Sequence, residues 1–157
     1  MDFLVIPAYK PDLTLIHLLQ RVKAKSSLHI VVVNDGSPAS YNSIFQEAQK
    51  CATILCYPSN QGKGQALKNA FTYIDTLGQY GTVVTADADG QHNVWDIFRV
   101  SKKAQENPNH LILGVRSFSG KVPLRSAFGN KVTRFLFQRQ TGVSVTDTQT
   151  GLRGFTT

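Results

Sequence analysis

At 157 residues the chain has room for one domain with a sizeable core. An apolar share of 41% with well-spread aromatics excludes a disordered chain. No apolar run approaches the roughly 20 residues that a membrane-crossing helix requires. The net charge of +7 is lopsided. After Asn107 the only acid is Asp147, against Arg116, Lys121, Arg125, Lys131, Arg134, Arg139 and Arg153. A stretch of this kind suits an anionic partner such as phosphate or a membrane surface, or else a solvated face. The start of the chain has no secretory pattern, so the expected compartment is the cytoplasm. Cys51 and Cys56 do not form Cys-x-x-Cys and lack nearby histidines, and are expected to be free, mostly buried thiols.

Strand and helix patterns alternate along the chain. Residues 3–6 read as a buried strand and 12–25 as a helix with Leu15, Ile16, Leu19 and Val22 on one face. A β-branched strand over 29–33 runs into Asn34-Asp35-Gly36-Ser37. A helix over 39–52, a strand over 53–57, a helix over 64–77 and a strand over 82–85 follow. The pattern then predicts a helix over 94–105, a strand over 111–115 and a longer helix over 123–139. Near-continuous apolar strands separated by amphipathic helices imply an α/β fold, a mostly parallel sheet covered on both faces.

Ligands of such sheets bind at the carboxyl ends of the strands. Those ends carry Pro7-Ala8-Tyr9, Asn34-Asp35-Gly36, Pro58-Ser59-Asn60, Ala86-Asp87-Ala88-Asp89 and Arg116, whereas the strand bodies hold almost no polar residues. In an extended segment, residues two apart point the same way, so Asp87 and Asp89 are expected to share a side. Two such carboxylates repel unless a cation or a donor-rich ligand lies between them. Mg2+ and Mn2+ prefer oxygen ligands and share them with substrate phosphates. An acidic turn that caps a helix is the structural alternative. His92 adjoins the pair, either as a ligand or as a partner in turn hydrogen bonds.

Asp35 suits either a base or ribose contact or an Asx turn. Asn60-Gln61-Gly62-Lys63-Gly64 opens a helix and offers an anion cradle through Lys63 and the helix N-terminus. It is not a P-loop, and no Gly-x-Gly-x-x-Gly for a nicotinamide dinucleotide is present. Arg116, Arg125 and Lys131 are candidates for phosphate binding. Arg125 and Lys131 would point roughly 120° apart on one helix, so a shared phosphate requires their stems to bend. The apolar side of that helix suits core packing or, with Arg134 and Arg139, a membrane surface.

Taken together, "VIPAYKP", "VVVNDGSP", "NQGKGQALKNAF", "TADADGQH", "GVRSF", "RSAFGNKVTRFLF" and "DTQTGLRGF" resemble the family 2 glycosyltransferases of GT-A fold. Within them the chain is similar to polyprenyl-phosphate sugar synthases of the dolichol-phosphate mannosyltransferase type. The resemblance implies a nucleotide-diphosphate sugar donor, with Pro7, Ala8 and Tyr9 lining the nucleotide pocket and Val33 and Asp35 touching the base. It implies that Asp87 and Ala88 face the nucleoside and that Asp89 and Gln91 hold Mg2+ or Mn2+ on the diphosphate. Arg116, Arg125 and Lys131 would hold acceptor and donor phosphates. The chain departs from the family pattern at Lys10-Pro11, where an acid is usual, and at Asn93-Val94, where prolines are usual. Members of the family usually continue further, so residues 1–157 are expected to be one GT-A-like domain truncated at its C-terminus.

The expected activity is metal-dependent, inverting transfer of a hexose to a polyprenyl phosphate, with Asp89, Arg116 and Asp147 as the catalytic candidates. A phosphate acceptor is already ionised at neutral pH and needs little general-base help. A saccharide hydroxyl acceptor would need a carboxylate base, for which Asp147 is the late candidate. An inert nucleotide-binding module at the membrane is a further alternative. The expected partners are a nucleotide-sugar, a lipid phosphate and a membrane surface reached peripherally at its inner face or through an anchoring partner. Nucleic acid is not expected, because the strand ends are acidic.

Overall fold

The computed structural model describes residues 1–115 and 150–157. Among these, β1 (Phe3–Ala8), α1 (Leu13–Lys23), β2 (His29–Asp35), α2 (Asn42–Ala48), β3 (Thr53–Tyr57) and α3 (Lys63–Thr76) follow one another. They lead to β4 (Thr82–Thr85), α4 (Val94–Glu106), β5 (Ile112–Leu113) and β6 (Arg153–Thr156). The strands form one sheet in the order β3-β2-β1-β4-β6-β5. β1 to β4 are parallel, and β6 runs antiparallel between β4 and β5. The predicted mostly parallel α/β sheet is therefore present.

Strand side chains alternate between two apolar layers, as a sheet buried on both faces requires. Leu4, Ile6, Ile30, Val32 and Val84 point to a core completed by residues of α1, α2 and α4. Phe3, Val5, Val31, Val33 and Val83 point the other way, onto Ala66, Ala70 and Ile74 of α3. The small alanines let α3 lie close to the sheet. Helix α1 starts where the Asp12 carboxylate accepts the Thr14 N–H at 2.8 Å, and α4 where the Asn93 amide oxygen accepts the Trp95 N–H at 3.0 Å. Asn93 thus caps α4 in place of the usual prolines.

Several expectations change. The helix expected over 39–52 is a 3-10 turn, Ala39–Tyr41, followed by α2, which stops at Ala48. The strand expected over 111–115 pairs only at Ile112–Leu113. β6 was not expected, since Gly154 interrupts its short pattern. A Cβ at Gly154 would sit 2.7 Å from a Val100 methyl, so the glycine lets α4 approach the sheet. Cys51 is half-buried and Cys56 is exposed rather than mostly buried, because Cys56 lies on the edge strand β3. The helix expected over 123–139 lies outside the described residues.

Two glycines with left-handed backbone separate strain from crowding. Gly36, at φ +70°, faces the backbone of Ser59 and Asn60, which an added Cβ would meet at 2.2–2.3 Å. Gly62, at φ +88°, faces open space. Gly62→Ala should therefore cost only the backbone strain of its φ +88°, ψ 156° conformation, about 1–3 kcal/mol. Gly36→Ala should cost clearly more in urea denaturation, because it also drives the loop after β3 away from the end of β2.

Candidate active site

The carboxyl ends of the parallel strands form one edge of the sheet. β1 and β4 are neighbours there, but the chain leaves β1 toward β2 on one side and leaves β4 toward β5 on the other. This is the switch point of the sheet, the place where open α/β sheets bind ligands.

The base-side candidates line β1 and β2. Pro7 pairs in register with Val33, and Ala8 with Asn34. Ala8 and Val33 are buried, Val33 against α3, so the base contact expected of Val33 is not open to its side chain in this structure. Tyr9 is exposed at the rim, with the Lys10 ammonium 5.1 Å from its ring centre. Lys10 has a left-handed backbone, φ 51°, and its N–H donates to Ser37 Oγ at 2.9 Å. Ser37 N–H in turn donates to Asn34 Oδ1, also at 2.9 Å.

Asp35 is buried, and its two carboxylate oxygens accept the N–H groups of Gln61 and Gly62 at 2.9 and 2.8 Å. This differs from the expected base contact: the carboxylate holds the loop that leads into α3. It also changes the expected anion cradle, because two of the backbone donors just ahead of α3 already have an internal anion.

Strand β4 stops at Thr85, and Ala88 and Asp89 lie in a turn. The rule that alternate residues share a side therefore does not reach the Asp-x-Asp pair. Asp87 is turned inward. The Lys63 ammonium donates to its Oδ1, and His92 Nε2 lies 3.4 Å from its Oδ2. The His92 hydrogen bond first, and the Lys63 ammonium after it, hold the Asp87 carboxyl well below the usual carboxylate range, against the upward push of burial. Both Asp87 oxygens thus face internal partners, Lys63 and His92.

Asp89 is exposed, and its Oδ1 accepts the Gln91 N–H at 3.0 Å, an Asx turn. Thr14 on α1 donates its hydroxyl to the Asp12 carboxylate at 2.5 Å and lies 3.3 Å from the Ala88 carbonyl, so the start of α1 packs against this turn. Gln91 is also exposed. A carboxylate and an amide oxygen at the surface are the hard oxygen donors that Mg2+ or Mn2+ takes alongside phosphate and water. No group of three or more His, Cys, Asp or Glu among the described residues could hold a metal by itself. The chemistry of Asp89 and Gln91 thus suits a cation shared with a bound diphosphate.

A cavity of about 500 Å³ opens between the turn, α4 and β5, lined by Gln91, His92, Arg99, Gly114 and Leu152 among others. Another of about 340 Å³ lies near Phe71, Tyr80 and Phe155, at the far end of α3 from Lys63. It lies away from the carboxyl ends of the strands, so the switch-point edge, with Gln91 and His92 on the larger cavity, is the better candidate site. Arg116, Arg125, Lys131 and Asp147 lie outside the described residues.

Sequence reading missed two contributors. Gly151 packs against Asp87, and a Cβ there would fall 2.0 Å from Oδ2. Its carbonyl accepts the Thr85 hydroxyl at 2.8 Å. Thr14 had no distinguishing signal, but Gly151 belongs to the "DTQTGLRGF" motif as a small residue whose closeness only the fold explains.

The family model described as "Glycosyl transferase family 2" matches residues 3–156. This chain belongs to that family. The family 2 chain is 32% identical to the uncharacterized protein MJ1222 of Methanocaldococcus jannaschii, across 98% of this chain and 63% of the relative. It is 27% identical to the UDP-N-acetylglucosamine–dolichyl-phosphate N-acetylglucosaminyltransferase of Methanococcus voltae, across 98% of this chain and 68% of the relative. The chain thus spans roughly two thirds of the length of these two relatives. A solved structure titled as a mycobacterial protein superposes with a TM-score of 0.73 at 19% identity, covering 99% of this chain and 53% of the other. That of a 4-diphosphocytidyl-2C-methyl-D-erythritol synthase gives 0.59 at 13% identity, covering 98% of this chain and 74% of the other. These likenesses establish the fold, a mixed α/β domain built on a mostly parallel sheet.

Asp35 provides a test of the edge. Asp35→Ala leaves two N–H groups without their anion and should destabilise the domain by about 2–3 kcal/mol. Chemical denaturation should register this as a lower midpoint with an unchanged slope.

Proposed function

We propose that this family 2 domain moves a hexose from a nucleotide-diphosphate sugar to a polyprenyl phosphate, with inversion and with Mg2+ or Mn2+. The observation that carries this reading is the relative from Methanococcus voltae, whose name states a dolichyl-phosphate acceptor and which aligns with 98% of this chain. The exposed Asp89 and Gln91 at the switch point support it, because they offer oxygen donors where a diphosphate would lie.

In this reading Tyr9, at the rim of β1, meets the nucleoside of the donor. Asp89 and Gln91 would hold the cation, which when bound neutralises charge on the departing nucleoside diphosphate. The Lys63 ammonium adds positive charge on the same edge. Arg116, Arg125 and Lys131 orient the acceptor phosphate, which is positioning rather than proton transfer. The acceptor oxygen is already anionic, so the attack needs no general base.

The acceptor draws the protein to a membrane. No helix among the described residues is long and apolar enough to cross one. Contact would be peripheral, at the inner face, or through an anchoring partner.

The test is a panel of nucleotide-sugars with polyprenyl phosphate, in Mn2+, Mg2+ or EDTA. Glycolipid that forms with metal and not with EDTA is the expected result, and Asp89→Ala should reduce it at least about a hundredfold, as the loss of charge stabilisation at a leaving group does. Nucleotide binding without turnover, also in a longer chain, would indicate an inert binding module instead. Asp147→Asn should leave most transfer to the lipid phosphate intact. Near-complete loss would point to a hydroxyl acceptor with Asp147 as its base.

A further inference from the structure

We propose that Asp87 is a positioning residue, a strut that holds the Lys63 ammonium in place at the donor edge, with His92 and Gly151 as its supports. The donor edge is that of the proposed function, and to that extent the inference rests on it.

The carboxylate joins three separate parts of the chain. Lys63, in the first turn of α3, donates to Oδ1. His92, just ahead of α4 and 7% exposed, faces Oδ2. A carboxylate oxygen only accepts, so the imidazole carries a proton on Nε2. Gly151, just ahead of β6, lies flat against the same oxygen. Gly151 is not among the glycines with left-handed backbone. Its conformation is open to any residue, and the lack of a side chain serves only to leave room for Asp87.

Exposure separates the two members of the ion pair. The Asp87 side chain is 21% exposed and faces inward, whereas that of Lys63 is 49% exposed. An ammonium has three donors. One is used on Asp87, and the exposed ammonium can turn the others to an anion arriving at this edge. A free lysine would lose the rotamer freedom of its long stem on meeting a diphosphate. A lysine already tied to Asp87 has lost much of it beforehand. The acid of the pair therefore acts through the lysine and need not touch the donor.

Gly151→Ala tests this while retaining every charged group, since the new methyl displaces the carboxylate. Asp87→Asn tests it at constant size and serves if the glycine variant does not fold. The first measurement needs no ligand: brief acetylation of the intact chain, with Lys63 read by mass spectrometry against exposed Lys68 of the same helix. In the wild type Lys63 should react about fivefold more slowly than Lys68, the upper scale of a partly exposed ion pair, and both variants should abolish that protection. Equal labelling of the two lysines in the wild type, or protection that survives both variants, overturns the strut. The second measurement is transfer kinetics. Both variants should raise the donor KM about tenfold with kcat changed far less, the pattern of lost binding rather than lost chemistry. Lys63→Met combined with Gly151→Ala should be no worse than Lys63→Met alone. Additive losses would mean that Asp87 acts on the donor by another route and would overturn the strut. Lys63 protection that behaves as expected in a chain without transferase activity would support the strut and refute the proposed function.

Discussion

A parallel sheet buried on both faces has little place for polar side chains along its strands unless each finds an internal partner, as the Thr85 hydroxyl does at the Gly151 carbonyl. That constraint organises this molecule. Val31, Val32 and Val33 all lie in apolar cores, on alternating sides, and the chain can turn polar only at Asn34 and Asp35, where β2 ends. β4 repeats the pattern, with Val83 and Val84 in opposite layers and Asp87 just past its end. Polar groups able to bind or react are therefore gathered on one edge of the sheet, and the reversal of direction between β1 and β4 opens that edge to a ligand.

Polar residues at such an edge also have internal work to do. Asp35 gives both its oxygens to backbone N–H groups ahead of α3, and Asp87 gives one to Lys63 and turns the other to His92. Asn34 closes its own turn by accepting from Ser37. Each bond stands in for the water that is excluded when the edge packs, which is why buried groups of this type are nearly always partnered. The consequence is a division among acids that look alike in the sequence. Asp35 and Asp87 face inward and build the edge, whereas Asp89 keeps one oxygen on its own turn and the rest of its carboxylate at the surface.

The strand and helix order was legible because apolar period and chain punctuation agree. The expected strands 53–57 and 82–85 match β3 and β4, and the α/β class follows from the alternation. Errors arose where a long-range contact decides local form. β6 exists because β4 and β5 offer it edges on both sides, and four residues containing a glycine do not announce that. α2 stops short of residue 52 because the chain must turn at 49–52 to enter β3. At the site, the pairing of Asp87 with Lys63 spans 24 residues and no periodicity reports it. The expected common orientation of Asp87 and Asp89 rested on an extended backbone that ends at Thr85. The motif was readable as a motif, but the separate surroundings of its two acids depend on where the strand stops.

The departure at Lys10 gains meaning from this arrangement. An acid after the first tyrosine would stand at the rim, on the same edge as Asp89. Lys10 instead occupies a left-handed turn anchored to Ser37, with its ammonium beside the Tyr9 ring. The inward acids Asp35 and Asp87 are screened by their own partners, so their charge contributes less to the field outside. Lys10 and Lys63 remain exposed on the edge, and their field extends over a Debye length of about 8 Å at physiological salt. A rim with outward cations and inward acids, where Asp12 and Asp89 are the exposed carboxylates of the loops after β1 and β4, carries the field that the proposed diphosphate and its cation call for. Lysine in place of the usual acid therefore makes the field at this rim more positive, which favours the anionic donor of the proposed reading.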